Sequence, residues 1–332
     1  GRALGKVKPA QLAFGATDVP EYVMCRRYWM KESYSPINPV TGNTDQIKTN
    51  PFGVEDQIIK PLNIPDPELS FLAIKGLDGE WISILGNYSL HYVGDWENGT
   101  ISADYFGMFS NALKEKLGAG DAFVGMMSNG TSGDINIWDF SGKVKFPEGE
   151  LAKSRKIGRD LAEKVLEKVQ ELEWEKSPQL KSSFSLLKAE RRMPNSEDLE
   201  KSKTILASGG LEELKPDTKG WEKLYAREQM LLNEFPKEAS SPLHVFHIGK
   251  VKIGALPGEF FAETGIKIKE GLDIPYFTIS LANDNVGYVP PAHEIKKGGY
   301  ETWRCRISNL STGSEELFRK KLLKLIHEDK NP

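Results

Sequence analysis

Three distant segments of the chain carry side chains that could bind a divalent cation. His91 ends an apolar stretch, Glu259 follows a Pro-Gly pair, and Tyr288 is followed twelve residues later by Tyr300. Imidazole nitrogens and side-chain oxygens at strand ends are the groups from which zinc sites are built. A zinc ion with an open coordination position activates water for attack on an acyl bond. These residues therefore predict a hydrolytic zinc site, the one chemistry that the sequence proposes.

Each of these residues also has an ordinary structural interpretation. A histidine at the end of a strand, such as His91, more often fills a core or a loop than binds a metal. A carboxylate near a helix N-terminus, as predicted for Glu259, is stabilised by free backbone amides and by the helix dipole. Tyr288 lies between glycine and proline residues and could serve in packing alone, and the same holds for Tyr300.

The elements that must position these residues follow from the hydrophobic pattern. Residues 70–91 predict a β-hairpin, because two apolar runs flank an Asp-Gly pair, which favours a hairpin turn. Residues 245–256 predict a second hairpin, and a helix follows over 258–270. A proline and a glycine at its entry are compatible with a helix start. Glu259 is thus expected where a strand passes into a helix.

Helical periodicity is clearest over residues 151–174, where apolar residues recur every three or four positions between lysines and glutamates. This spacing predicts a helix with one packed and one solvated face. The remaining predicted elements are helices over 221–232 and 315–326 and strands over 122–127 and 277–281.

Strands and helices are mixed along the chain, which predicts an α/β fold with a mixed β-sheet core and flanking helices. We expect a single domain over residues 1–332. Residues 8–70 lack periodicity and predict irregular structure wrapped over a core. Residues 176–220 are polar, contain glycine and proline breakers, and predict an excursion at the surface.

Composition excludes several classes of protein. The 332 residues have a net charge of -3, which gives no electrostatic case for nucleic acid as a partner. No apolar run approaches the length of a membrane span, and we expect no signal peptide. Cys25 and Cys305 are too far apart for a Cys-x-x-Cys motif. The sequence leaves two states of these cysteines open, two free thiols or one long-range disulfide.

Four segments in this order resemble the catalytic domain of the neutral/alkaline (non-lysosomal) ceramidases. They are residues 87–94, 128–136, 257–265 and 287–303, and the resemblance extends over nearly all of the chain. It implies a zinc-dependent hydrolase that cleaves the amide of N-acylsphingosine-like lipids. It also implies a secreted or periplasmic location and a role in lipid metabolism.

The resemblance assigns roles to particular residues. It implies that His91, Glu259 and Tyr288 bind zinc and that Tyr300 contacts the reacting centre. Arg26 corresponds to an arginine that polarises the substrate carbonyl in the family.

The sequence departs from the family at two places. An upstream histidine segment of the family has no counterpart among the five histidines here, and Asn136 replaces the family's essential serine. We also expect the short form of the family, without the Ig-like C-terminal domain of its long members. We therefore expect an N-terminally incomplete catalytic domain. Either its other fragment stays bound as a partner, or the site is incomplete. Asn136 can hydrogen-bond a substrate but cannot form an acyl-enzyme, so direct attack by water on a substrate other than ceramide itself is expected.

Three functions stay open on the sequence alone. The first is a zinc-dependent hydrolase that cleaves the amide of an N-acyl, ceramide-like substrate. The second keeps the zinc site in an esterase or deacetylase that acts on a non-lipid acyl group. The third is a non-catalytic binding protein that retains the fold.

Overall fold

The computed structural model describes residues 3–142, 144–209 and 218–328. It confirms the mixed α/β class. The strands in chain order are β1 (Ala10–Asp18), β2 (Met24–Cys25), β3 (Arg27–Met30), β4 (Ile47–Thr49), β5 (Ile58–Pro61), β6 (Glu68–Gly76), β7 (Trp81–Tyr88), β8 (Val124–Asn129), β9 (Ile135–Asn136), β10 (Leu180–Glu190), β11 (Glu238–Ile248), β12 (Val251–Ala255), β13 (Glu259–Phe260), β14 (Tyr276–Ile279) and β15 (Tyr288–Val289). The helices are α1 (Asp104–Leu117), α2 (Ala152–Val169), α3 (Ser196–Ala207), α4 (Thr218–Leu232), α5 (Ala262–Glu270), α6 (Ala292–Ile295) and α7 (Ser314–His327).

The first sheet has the order β1-β6-β7-β8, with β7 and β8 parallel and the other neighbours antiparallel. The predicted hairpin is confirmed as β6 and β7, and Gly79 in its turn has a φ of 89°, a left-handed conformation that glycine adopts without strain. Residues 8–70 were predicted to be irregular, but β1 forms the edge of this sheet over nine residues. Its small residues, alanine and glycine, give β1 little of the apolar alternation that identifies a strand.

The second sheet has the order β10-β11-β12-β14, and β12 runs parallel to β14 through the crossover helix α5. The hairpin predicted over 245–256 is confirmed as β11 and β12. Within the stretch 176–220, predicted as a surface excursion, the described residues include β10, α3 and the start of α4. Nine of the eleven positions of β10 are at least partly exposed and it is an edge strand, so the sequence there has the polar composition of a loop.

The two sheets pack face to face, and helices cover their outer faces. Along β6, Leu72 contributes to a cluster with Ile253 and Phe277 of the second sheet, whereas Phe71 packs among α1 and α2. This alternation follows from the two-residue period of a strand. On the far side, Phe318 and other residues of α7 pack against β11 and α5. The resulting layer order is helix, sheet, sheet, helix.

The helix predicted over 151–174 is shorter, since α2 ends at Val169. The helix predicted over 258–270 begins only at Ala262, because Glu259 lies in the short strand β13. The predicted helices 221–232 and 315–326 are confirmed within α4 and α7. Across the described residues, no helix combines the length and apolar character that crossing a bilayer demands.

Candidate active site

The carboxyl ends of the parallel strands of both sheets meet at one edge of the molecule. The Asn87 side chain of β7 donates to the carbonyl oxygen of Thr278 in β14 at 2.9 Å. The Ser280 amide, just after β14, donates to the carbonyl oxygen of Asn129 at the end of β8, also at 2.9 Å. These bonds join the two sheets where β7, β8 and β14 end. Loops at the carboxyl ends of parallel strands commonly build ligand sites, and His91 lies in the loop after β7.

His91 and Glu259 meet at this edge. Nε2 of His91 lies 3.8 Å from Oε2 of Glu259, and about a fifth of each side chain is exposed. Glu259 is held by the parallel ladder of β13 and β15, in which it stands opposite Tyr288. Its amide donates to the carbonyl oxygen of Gly287 at 2.9 Å. The ladder therefore places a carboxylate and a phenol side by side, and the loop after β7 adds an imidazole.

Tyr300 and Arg26 complete the group of side chains. The rings of Tyr288 and Tyr300 make an edge-to-face contact with centroids 5.7 Å apart. The Arg26 guanidinium lies 5.4 Å from the centre of the Tyr288 ring, within the range of a cation–π contact. It donates to the carbonyl oxygen of Gly133 at 2.6 Å. The structure thus brings together five of the six site residues predicted from the sequence.

Glu301 is a site residue that the sequence analysis missed. Its fully buried carboxylate accepts hydrogen bonds at 2.7 Å from Arg26, from Arg27 and from the hydroxyl of Thr49. Arg27 also pairs with the buried carboxylate of Glu294 at 3.1 Å. Two guanidinium groups and two carboxylates therefore form a buried network beneath the site. The adjacent pair Arg26-Arg27 was the available signal, because buried arginines require carboxylate partners.

The electrostatics of the site leave the His91 imidazole and the phenols of Tyr288 and Tyr300 uncharged at pH 7. Burial, together with the charge of Arg26, lowers the pKa of His91 to about 4, so the imidazole is neutral at pH 7. Burial raises the pKa of Glu259 above its ordinary value, while Arg26 and a hydrogen bond from Tyr288 oppose that rise. Burial also raises the pKa values of Tyr288 and Tyr300, which keeps both phenols protonated.

Comparisons with solved structures identify the fold. A crystal structure of neutral ceramidase from Pseudomonas aeruginosa has a TM-score of 0.64 and 16% identity, and the match covers 98% of this chain and 53% of that one. A structure of a ceramidase complexed with C2 gives 0.63 and 16%, over 98% of this chain and 54% of the other. The chain has the neutral ceramidase fold. It spans about half the length of these two ceramidases, and no protein-family model and no curated protein matches its sequence.

In this ceramidase fold, His91 and Glu259 fit a zinc ion in donor type and in spacing, and the Tyr288 phenol, opposite Glu259 in the ladder, fits it in donor type. Zinc binds imidazole nitrogen and carboxylate oxygen at about 2.0–2.2 Å, so two ligand atoms 3.8 Å apart can share one ion. One feature differs from an assembled metal site. The backbone amide of Tyr92 donates to Nδ1 of His91 at 3.0 Å, whereas a metal-bound histidine usually donates from its second nitrogen. Ligation through Nε2 therefore requires a change of tautomer or ring orientation.

Asn136 lies in a different position from the other five predicted residues. It ends β9, which pairs with β2 directly before Arg26. Its side-chain amide nitrogen donates to Oδ1 of Asn50, and its oxygen accepts from the backbone amide of Trp138 at 2.9 Å. Both polar atoms are thus engaged in the surrounding structure, and Asn136 reaches the neighbouring cavity through Asn50.

Asp134, in the loop between β8 and β9, makes long-range contacts. Its fully buried carboxylate accepts from the amide of Ala262 at the start of α5 and from the side chain of Asn63, both at 2.8 Å. Burial raises its pKa. Asp134 therefore fixes the loop after β8 to the helix that follows β13. Cys25 and Cys305 are both buried free thiols, so the disulfide alternative does not hold.

A second group of possible metal ligands lies apart from the predicted three. One ligand atom each of Glu263, His293 and Glu294 lies within 4.8 Å of the others. Nε2 of His293 is 3.0 Å from Glu263 and 3.2 Å from Glu294. Lys297 also pairs with Glu294 at 2.7 Å, and Lys267 with Glu263. These cations already neutralise both carboxylates, so the group has the composition of an ion-pair network.

A cavity of about 1060 Å³ adjoins Arg26 and Tyr300. We call it the aromatic cavity, after Tyr34, Phe52, Trp221 and Trp303 in its wall. Its volume is sufficient for a substrate of drug-like size or larger. Because it meets the site at a guanidinium and a phenol, a bound molecule would present its polar reacting group at that end.

Proposed function

We propose that this protein is a zinc-dependent hydrolase that cleaves the amide bond of an N-acyl substrate. The observation that carries the proposal is the 3.8 Å approach of His91 to Glu259 beside Tyr288. The ceramidase fold supports a hydrolase, and the donor set supports the metal. A location outside the cytoplasm stays a prediction of the resemblance.

Each side chain has a distinct role in the proposed reaction. When bound by His91, Glu259 and Tyr288, zinc would supply a Lewis acid that activates water. Arg26 would hold the acyl carbonyl oxygen, since its guanidinium is buried and fixed by Glu301. Burial alone would lower the pKa of Arg26, but Glu301, Tyr288 and Glu259 raise it, so the positive charge persists.

Tyr300 would donate a hydrogen bond to the oxyanion that develops on the acyl carbon. Its raised pKa keeps the phenol proton available for that bond. Removal of one donor of this type commonly costs about 10² to 10³ in rate. Asn136 carries no hydroxyl, so no acyl-enzyme forms at that position and water attacks the carbonyl directly. The C–N bond then breaks, and the amine leaves with a proton given up by the attacking water, whose oxygen stays on the acyl carbon.

A non-lipid acyl ester is the second candidate substrate. The observation that favours it is Asn136, whose amide is engaged by Asn50 and Trp138 rather than directed at a nucleophilic role. A panel of matched N-acyl amides and acyl esters distinguishes the two. Turnover of esters alone would assign the protein to the second class, and binding without turnover of either would make it a binding protein.

Replacing His91 with alanine tests the metal site. We expect about one zinc per chain in the metal-loaded wild-type protein, and we expect His91→Ala to lose that zinc together with amide hydrolysis. His293→Ala is the matched control, because His293 belongs to the second histidine–glutamate group and should keep the zinc. Elemental analysis of dialysed protein and amide turnover are the measurements. Zinc lost from His293→Ala but kept by His91→Ala would assign the metal to the second group and refute the proposal.

A further inference from the structure

The wall of the aromatic cavity identifies the part of the substrate that lies beyond the scissile bond. We propose that this part is a polyhydroxylated ring, so that the substrate is an N-acylated amino sugar. This inference rests on the proposed amide hydrolysis. It replaces the two hydrocarbon chains of a ceramide-like lipid with a carbohydrate.

The cavity is placed to receive the substrate body. Arg26 and Tyr300 line one end, where the proposed reaction polarises the acyl carbonyl. Asn50 lines the same cavity and accepts a hydrogen bond from Asn136 through its Oδ1, which leaves the nitrogen of the Asn50 side chain as a donor. A group attached to the amide nitrogen would therefore extend from the site along the cavity.

The apolar part of the wall has more aromatic than aliphatic side chains, and its aliphatic members are Pro36, Ile37, Pro39 and Ile47. Tyr34, Phe52, Trp221 and Trp303 provide large flat faces, and Tyr300 adds a fifth ring at the inner end. A sugar ring offers a flat C–H face that packs against an aromatic ring. Aromatic side chains of this kind combine an apolar body with a polar edge. The wall therefore matches a rigid ring better than two acyl chains.

These aromatic rings are held in place before any ligand binds. The indole nitrogen of Trp303 donates to Asp45 at 2.6 Å. The Trp303 ring packs edge-to-face on Trp221 at 6.2 Å and on Tyr225 at 5.4 Å between centroids. Phe52 packs against Trp138 at 4.9 Å. A wall fixed in this way loses little conformational entropy on binding, as recognition of a rigid ring requires.

Polar and charged side chains alternate with the rings. Asn38, Lys48, Thr49 and Glu222 also line the cavity. Covering such groups with hydrocarbon would cost free energy, because they would lose water without gaining hydrogen bonds. Sugar hydroxyls donate and accept, so they can replace the lost water. The charged side chains of Lys48 and Glu222 in the wall thus disfavour a hydrocarbon chain in the cavity and favour a carbohydrate.

Turnover and binding of two probes test the inference. The probes are the N-acetylglucosamine dimer and an N-acylsphingosine with a short acyl chain, each given to the zinc-loaded protein. We expect the sugar to be hydrolysed with a kcat/KM at least ~100-fold above that of the sphingolipid. Trp221→Ala should raise the KM for the sugar about tenfold, which corresponds to the loss of one good ring contact. Its kcat and zinc content should stay near wild type, and Trp221→Phe should recover most of the affinity.

Trp174→Ala is the matched control, since Trp174 packs against Trp81 and is not among the cavity-lining residues. It should leave the KM unchanged. Hydrolysis of the sphingolipid but not of the sugar would overturn the carbohydrate assignment and leave amide hydrolysis intact. If neither probe is hydrolysed, the proposed function fails, and tryptophan fluorescence titration with the sugar decides the inference. Quenching that Trp221→Ala abolishes supports it, and no quenching at millimolar sugar overturns it.

Discussion

A Glu301→Gln variant is expected to lose at least ~100-fold in kcat while it keeps its zinc. Glu301 holds the Arg26 guanidinium by a 2.7 Å bond to Nε and also binds Arg27 and Thr49. Glutamine has the shape of glutamate but no charge, so one amide hydrogen would face a guanidinium hydrogen and push Arg26 away from its place. A displacement of about 1 Å at a positioning group can cost ~10² in rate.

The same change should also destabilise the fold. Burial alone would raise the pKa of Glu301, but Arg26 and Arg27 lower it below the ordinary value, so the carboxylate is charged. Its loss leaves two buried guanidinium groups with Glu294 as the remaining carboxylate of the network. Breaking a buried ion pair typically costs about 3–5 kcal/mol. Denaturant unfolding measures the loss in the free energy of unfolding. Kinetics at low temperature without denaturant measures kcat of the folded fraction.

Glu294→Gln separates the two effects. Glu294 is as deeply buried as Glu301 and pairs with Arg27 at 3.1 Å. Its other ion pairs are with His293 and Lys297 rather than with Arg26. We expect it to lose stability and to keep most of its kcat per folded molecule. An equal loss of kcat in both variants would show that Glu301 acts through the stability of the network alone. Bound zinc is measured in both, because neither residue is a proposed ligand.

The sequence predicted the general architecture because local patterns carry it. The hairpin of β6 and β7 follows from two apolar runs about an Asp-Gly pair, and α7 follows from its helical period. The strands β1 and β10 were missed, because both are edge strands with small or polar residues. A strand at an edge needs fewer buried side chains, so its pattern weakens.

Sequence reasoning also located His91, Glu259 and Tyr288, which the structure brings together, although their metal role stays a prediction. It misplaced Glu259 at a helix N-terminus, because nothing local shows that residues 259 and 260 pair with residues 288 and 289. It missed Glu301 for the same reason. Arg26 and Glu301 are 275 positions apart, and hydrophobic periodicity carries no information about contacts between polar residues at such separation.

A Gly133→Ala variant is expected to reduce kcat by at least ~100-fold, although it adds only one methyl group. A Cβ at this position would lie 2.6 Å from the carbonyl oxygen of Glu259 and 3.0 Å from that of Phe260, both backbone atoms. The Gly133 amide donates to Phe260 at 2.8 Å, and its carbonyl accepts from Arg26 at 2.6 Å. The methyl group must therefore displace β13, Arg26 or both, and with them the carboxylate that approaches His91.

Gly120→Ala is the control, because no atom lies within 4 Å of a Cβ built there and its φ is not left-handed. It should leave kcat and zinc content unchanged, with a small gain or no change in stability. The measurements are kcat, bound zinc and the free energy of unfolding. Wild-type kcat in Gly133→Ala would mean that the separation of His91 from Glu259 tolerates movement of β13. If His91 and Glu259 share one metal ion, movement of β13 must lower kcat. Wild-type kcat in Gly133→Ala would therefore refute the shared metal site.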